Sequence, residues 1–142
     1  MKLRVIIPIT IAVLVASLWP ISTLSAPDWT VCVVDESNRP VTGVLVRESY
    51  QNYSAESDGH EEDLYTDAEG CVRFTPKYVR SALIRRLVVI LYSATAGVHA
   101  SFGSYSFVTA FRGAQSGVDV RGGYLYGWKG SPAQLKSTLV LH

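Results

Sequence analysis

The sequence predicts an all-β protein, a single small Greek-key β-sandwich of about seven strands with one short helix at residues 76–85. Three observations predict it. Short runs rich in β-branched residues recur along the chain, separated by turn signals built on Gly, Pro, Asn and Asp. Residues 31–74 set such runs around two legible turns, Glu36-Ser-Asn-Arg-Pro40 and Thr66-Asp-Ala-Glu-Gly70. Two of these runs carry one cysteine each, Cys32 and Cys71.

Each element follows from its own residues. Residues 29–35 are dominated by valine and read as the first strand. In the turn after it, Asn38 tolerates left-handed backbone angles and Pro40 fixes the chain's return. Residues 41–50 place Val44 and Val46 on one face and Leu45 and Arg47 on the other, as a strand does. Residues 51–63 are polar and acidic and read as an exposed loop. Residues 64–66 form a short strand, and Gly70 closes a tight turn where positive φ is expected. Residues 71–75 make the next strand. Thr75-Pro76 then reads as a helix start, with threonine as cap and proline at the first helical position. That places a short helix at 77–85 and a buried strand at 87–92, with one longer helix from Lys77 as the competing reading. Residues 94–103 are a small-residue loop, and 105–111 alternate as a strand. Residues 112–130 hold six glycines with Tyr124, Tyr126 and Trp128, a long irregular loop. Residues 135–141 supply the closing strand.

The chain has 142 residues, enough for one domain. Its first 26 residues read as a signal peptide. Lys2 and Arg4 precede the uncharged, almost wholly apolar residues 5–19, and Ser22-Thr-Leu-Ser-Ala26 supplies small residues for a cut. Cleavage after Ser25 reads better than after Ala26, which would leave Pro27 beside the bond. The competing reading is an uncleaved anchor. Against it, the apolar run falls short of the roughly 20 residues a spanning helix needs, and Pro20 interrupts it. The domain is then residues 27–142, exported and secreted or periplasmic, touching membrane only if the leader stays.

Loss of Lys2 and Arg4 takes the 13 basic residues to 11, against 12 acidic. A near-neutral chain without a basic face excludes nucleic acid as a partner. The one basic cluster, Arg80 with Arg85 and Arg86, reads as a solvated face. In an exported chain two cysteines suggest one disulfide. If Val31, Val33, Val72 and Phe74 fill the core, strand alternation puts Cys32 and Cys71 on the outer face, and pairing needs only that the two strands be neighbours. A reactive or metal-binding thiol pair would show the close C-x-x-C spacing that is missing here.

In Val31-x-Val-Val-Asp35, Pro40-Val-x-Gly-Val-x-Val46 and Thr66-Asp-Ala-Glu-Gly-Cys-Val-Arg-Phe74, the sequence resembles the carboxypeptidase regulatory-like domain, of the transthyretin-like (prealbumin-like) β-sandwich group. The resemblance is specific over residues 29–74, extends to 111 only in strand order, and matches nothing in 113–142. It implies that the first strand lies beside the strand after the Asp67–Gly70 turn, which brings Cys32 to Cys71. Such domains accompany zinc carboxypeptidases and assist folding or recognition, yet this chain has no His-x-x-Glu ligand pair. The branch of the group that hydrolyses 5-hydroxyisourate relies on histidines, an arginine and a terminal Tyr-Arg-Gly-Ser. This chain has no histidine in its first strand and ends Leu-Val-Leu-His142.

Other candidate chemistry is thin. Asp58, His60 and Glu61 are weak metal candidates, because the acidic run around them lacks the spacing of a calcium loop or a zinc helix. His99 with Ser101 or Ser104 suggests a hydrolase only faintly, without a Gly-x-Ser-x-Gly elbow. Tyr124, Tyr126 and Trp128 form a candidate binding surface, for a glycan or another protein. The expectation is therefore a non-catalytic, cofactor-free exported module with a structural or protein-interaction role toward an unknown protein or envelope surface. A carbohydrate-binding module is the alternative, and a small hydrolase a weak third.

Overall fold

The computed structural model describes residues 3–113, 115–117, 119–120 and 127–141. Helix α1 (Leu3–Leu18) leads into β1 (Pro20–Ala26) and β2 (Asp28–Val34). There follow β3 (Leu45–Asn52), β4 (His60–Tyr65), β5 (Cys71–Phe74) and β6 (Lys77–Ala82). Helix α2 (Leu83–Ala94) and a 3-10 turn (Gly97–His99) precede β7 (Ser104–Arg112), β8 (Gln115–Gly117), β9 (Asp119–Val120) and β10 (Gln134–Val140).

Two four-stranded sheets face each other, ordered β5-β2-β10-β9 and β4-β3-β7-β8, and a third, two-stranded ribbon pairs β1 with β6. The small all-β sandwich expected from the sequence is thus the observed fold. Alternation sends Trp29, Val31 and Val33 of β2 inward against Val44, Val46, Phe74, Val108, Ala110 and Leu139. Fully burying a valine, leucine or phenylalanine side chain contributes about 1.5–3 kcal/mol. The Trp29 indole satisfies its one donor on Ser137 Oγ at 2.9 Å.

The turn residues interlock. Asp35 Oδ1 accepts the backbone N–H groups of Ser37 and Arg39, both at 2.9 Å, and Asn38 takes φ 64°. These bonds, the Arg39 amide's first, hold the Asp35 carboxyl below its ordinary range. Thr66 Oγ1 donates to the Val41 carbonyl at 2.8 Å and accepts from the Val44 amide at 3.0 Å, so one hydroxyl ties the ends of two strands. Gly70 takes φ +73°, and a Cβ there would stand 2.9 Å from both Pro40 Cβ and Val41 N. Only glycine fits that crossing of the two turns.

Four elements differ from the sequence reading, the first being the expected loop at 112–130, in which Gln115–Gly117 and Asp119–Val120 are strands β8 and β9. Residues 51–63 are not one exposed loop, since β4 begins at His60 and pairs with β3 from Tyr50↔His60 to Leu45↔Tyr65. Of the expected helix at 76–85, Lys77–Ala82 is strand β6 and only the last three residues are helical, as the start of α2, which also takes in the expected strand at 87–92. The cause is β1: Pro20–Ala26 gives Lys77–Ala82 an antiparallel partner, with Pro20↔Ala82 and Leu24↔Tyr78 in register. A strand with its partner in the expected leader is invisible to a reading that starts at residue 27. The apolar run then continues as helix, because strands and helix segments cannot be told apart by a short continuous apolar stretch.

Candidate functional site

The cysteines stand where alternation and the family resemblance put them. β2 and β5 are antiparallel neighbours with Cys32↔Cys71 in direct register, and the two are disulfide-bonded with Cα atoms 4.0 Å apart. Neither is free, so the pair is a structural clip on the outer face of its sheet. A disulfide of this kind fits a compartment more oxidising than the cytosol.

The expected aromatic surface does not hold at Trp128, which is 3% exposed. It bridges to Ser106 at the edge of β7 and donates its indole N–H to the Pro132 carbonyl. A buried indole offers no ring face to a sugar. Tyr124 and Tyr126 lie outside the described residues. The weak metal candidates do not converge either. Asp58 accepts from Ser57 Oγ, and Glu61 pairs with Arg47 at 3.0 Å on the outer face. His60, one residue away on the strand and exposed, meets Glu56 at 3.0 Å on the opposite face. Among the described residues no group of three His, Cys, Asp or Glu side chains could hold a metal ion. His99 is exposed, while Ser104 Oγ is occupied between Asn52 Nδ2 and the Leu24 carbonyl.

The sequence reading missed a polar layer between the β1–β6 ribbon and the inner face of β3, β4 and β7. On β3, Glu48, Tyr50 and Asn52 follow Val46 on the inward register, with Glu48 opposite Glu62 of β4 and Tyr50 opposite His60. Glu48 and Ser106 are both 0% exposed, and Glu48 Oε1 accepts from Ser106 Oγ at 3.1 Å. Glu48 Oε2 has no hydrogen-bond partner among the described residues. Burial drives the Glu48 carboxyl up to about 7, against the opposing Ser106 bond; the charge of Glu62 raises it further and that of Lys77 lowers it. The Lys77 ammonium contacts Glu62 at 2.9 Å, and this bond holds it above its ordinary range. Desolvation also raises the Tyr50 phenol, whose ring stacks on His60 at 5.3 Å between centroids.

Glu56 joins three elements around this layer. Its Oε1 accepts from the Asn52 amide at 2.7 Å and from Ser25 Oγ at 3.1 Å, and its Oε2 meets His60 Nε2. The acidic run read as solvated therefore begins with a side chain that fixes β1 to β3 and β4. An open cleft of about 330 Å³ leads from this layer to the surface, lined by Tyr50, Glu56, His60, Lys77, Tyr78 and Arg80 among others. Its charges are mixed and mostly paired with one another. Glu48, the most perturbed acid of the layer, and the Ser106 hydroxyl beside it are not in that lining and are sealed from solvent. The arrangement can hold or release a proton, and it presents no activated nucleophile at the surface. One signal was available: carrying the alternation of Val44 and Val46 two residues further puts a carboxylate on the core face.

No protein-family model matches the chain, and no curated protein matches it in sequence. Among solved structures the chain is similar to 3-chlorocatechol 1,2-dioxygenase from Rhodococcus opacus, at 14% identity and a TM-score of 0.41. That alignment covers 82% of this chain and 61% of the dioxygenase chain, so this chain spans about three-fifths of that protein's length.

Proposed function

We propose that the chain is a non-catalytic β-sandwich module acting outside the cytoplasm, held at an envelope surface by an N-terminal segment that it keeps rather than released as a secreted or free periplasmic protein. Its role is structural, or the engagement of a partner protein through its loops. It is assigned to the carboxypeptidase regulatory-like group on the interlocked residues Asp35, Pro40, Thr66, Asp67 and Gly70.

The observation that carries this reading is β1. A cut after Ser25 would take away Pro20–Leu24, the partner of Tyr78–Ala82. It would also remove the Leu24 carbonyl that accepts from Ser104, and turn Ser25, the donor to Glu56, into a chain end. Ser25, Ala26 and Pro27 are all buried in the fold. Export peptidases act before folding, so burial does not protect the bond. The point is what the remaining chain would lack: β6 would become an unpaired edge over a polar layer. The Cys32–Cys71 bridge supports an oxidising compartment, and the sealing of Glu48 and Ser106 supports a non-catalytic role.

Intact-mass measurement and N-terminal sequencing on protein recovered from its native membrane and soluble fractions test this. The expected product retains residues 20–26 and travels with membranes. A soluble product beginning at Ala26 or Pro27 would overturn the reading.

A further inference from the structure

Helix α2 carries an apolar face that the fold does not use. No residue of Leu83–Ala94 is buried. Leu83, Ile84, Leu87, Val88, Leu91 and Tyr92 are all exposed, from 42% at Leu83 to 79% at Tyr92. Their spacing, i, i+1, i+4, i+5, i+8 and i+9, gathers them into one stripe. Val89, Ile90 and Ser93 fall on the opposite side and are half-buried. Arg86, also on that side, donates to the carbonyls of Ile21 and Ser81, which fixes α2 to the end of the ribbon. The stripe therefore faces away from the sandwich. Beyond α2, Val98 at 96% and Phe102 at 54% exposure extend the same kind of surface.

What covers the stripe can be argued from charge and from its neighbour. Helix α1 packs beside α2 and exposes Ile6, Ile7, Ile9, Ile11, Val13, Leu14, Val15 and Leu18. It is about 24 Å long, and among the described residues no helix is long and apolar enough to cross a membrane. Lys77 is spent on Glu62, and the basic residues along and just before α2 have no acidic neighbour in sequence. No acidic residue precedes Asp28 or falls between Glu69 and Asp119, whereas Arg80, Arg85 and Arg86 all lie in the latter stretch. Helical spacing sets the exposed Arg85 at the edge of the stripe beside Tyr92, where its stem can lie on apolar surface and its guanidinium can reach headgroups. A second copy docked two-fold on this face would bring the same arginines together, which is repulsive. A bilayer with anionic headgroups answers both the apolar stripe and its basic edge.

We infer that α2 lies in the interface of an anionic phospholipid bilayer, with Leu83, Leu87, Val88 and Leu91 among the acyl chains and Arg85 at the headgroups. The inference deepens the envelope-surface reading above, and its test keeps the two apart. Both native cysteines are bridged, so one added cysteine can carry an environment-sensitive fluorophore. Leu91→Cys reports on α2, Val13→Cys on α1, and Tyr65→Cys, at an exposed position, on the end of β4 away from His60. Full-length protein is reconstituted into phosphatidylcholine vesicles with or without phosphatidylglycerol.

The label at 91 is expected to shift to the blue and escape aqueous quencher on vesicles containing phosphatidylglycerol, while the label at 65 stays aqueous. Arg85→Ala should move the inserted-to-exposed ratio at 91 about fivefold toward exposed on those vesicles. Leu87→Glu should abolish insertion without changing the melting temperature, because Leu87 is already half exposed. An aqueous signal at 91 on both vesicle types overturns the inference, and so does a blue shift without vesicles that grows with protein concentration, which marks a second copy. A lipid-buried label at 13 with an aqueous one at 91 leaves the retained anchor standing and removes α2 docking. Loss of residues 1–25 with insertion at 91 intact does the reverse.

Discussion

Strand β3 runs through two environments, and its inward side chains change character midway. Val46 lies with Val31, Val33, Phe74 and Leu139 in a dry core. Glu48, Tyr50 and Asn52, the next three inward positions, lie in a layer with Glu62, Lys77, Ser106 and Glu56. The strand is the same; its cover differs. Over the first half sits the valine-rich β2 with its neighbours β5 and β10. Over the second sits the β1–β6 ribbon, which contributes Ser25 and Lys77. A dry interface rewards apolar area and tolerates no loose volume. A polar one depends on every group finding a partner, and Glu48 Oε2 has none among the described residues. The dry half should therefore set how stable the domain is, and the polar half how stability varies with pH.

The largest test strikes the dry half. Phe74→Ala removes a fully buried ring and should cost about 3–5 kcal/mol, read as a fall in the denaturation midpoint of the oxidised protein. A loss under about 1 kcal/mol would mean that this half is not the stabilising one. Next comes the clip on its outer face. Cys32 and Cys71 are 39 residues apart, and replacing both with serine should cost about 2–4 kcal/mol. Non-reducing mass spectrometry should first show the wild type lighter by two hydrogens, with one peptide linking the two strands.

How much of this was legible follows the same division. The turn residues Asp35, Asn38, Asp67 and Gly70, and the common face of Cys32 and Cys71, could be read because each rests on local backbone chemistry or on period-two alternation. β6 and α2 were read in reversed order because β6 owes its form to β1, a partner more than 50 residues away in a segment read as leader. Trp128 was read as surface from its glycine-rich setting. The structure buries it, and the chain before it passes so close to the Tyr105 ring that a Cβ at Gly127 would overlap the ring in its present position. Glu48 was within reach of alternation, but whether its carboxyl would be sealed depended on the ribbon above it.

The polar half is tested by pH. Glu48 has a folded-state pKa near 7 against an ordinary 4.5. Below about 4.5 both folded and unfolded chains hold the proton, and stability gains fully from the tighter folded-state binding. As pH rises toward and through 7 the unfolded chain ionises freely, the folded one only reluctantly, and that gain is lost. The gap between the two values corresponds to on the order of 3 kcal/mol. Glu48→Gln, which cannot ionise, should flatten the decline in denaturation midpoint between pH 5 and pH 8, and at pH 8 should exceed wild type. Parallel pH profiles for wild type and variant would show that Glu48 ionises freely in the fold.

The smallest effect separates burial from neighbouring charge as the source of that pKa. Burial is the leading cause, with Lys77 opposing it and Glu62 adding to it. Lys77→Met keeps the apolar stem but leaves Glu62, opposite Glu48 on β4, without its cation. At pH 5 the loss should stay below about 1 kcal/mol, because the Lys77–Glu62 pair is partly solvated. The signature is in the pH profile, since two carboxylates without a cation resist ionising together. The fall in stability should move to higher pH and extend past the wild-type range. If the profile keeps its midpoint in Lys77→Met yet flattens in Glu48→Gln, burial under the ribbon alone sets the Glu48 proton. The polar half would then owe its chemistry to the strand that the N-terminal segment lays over it.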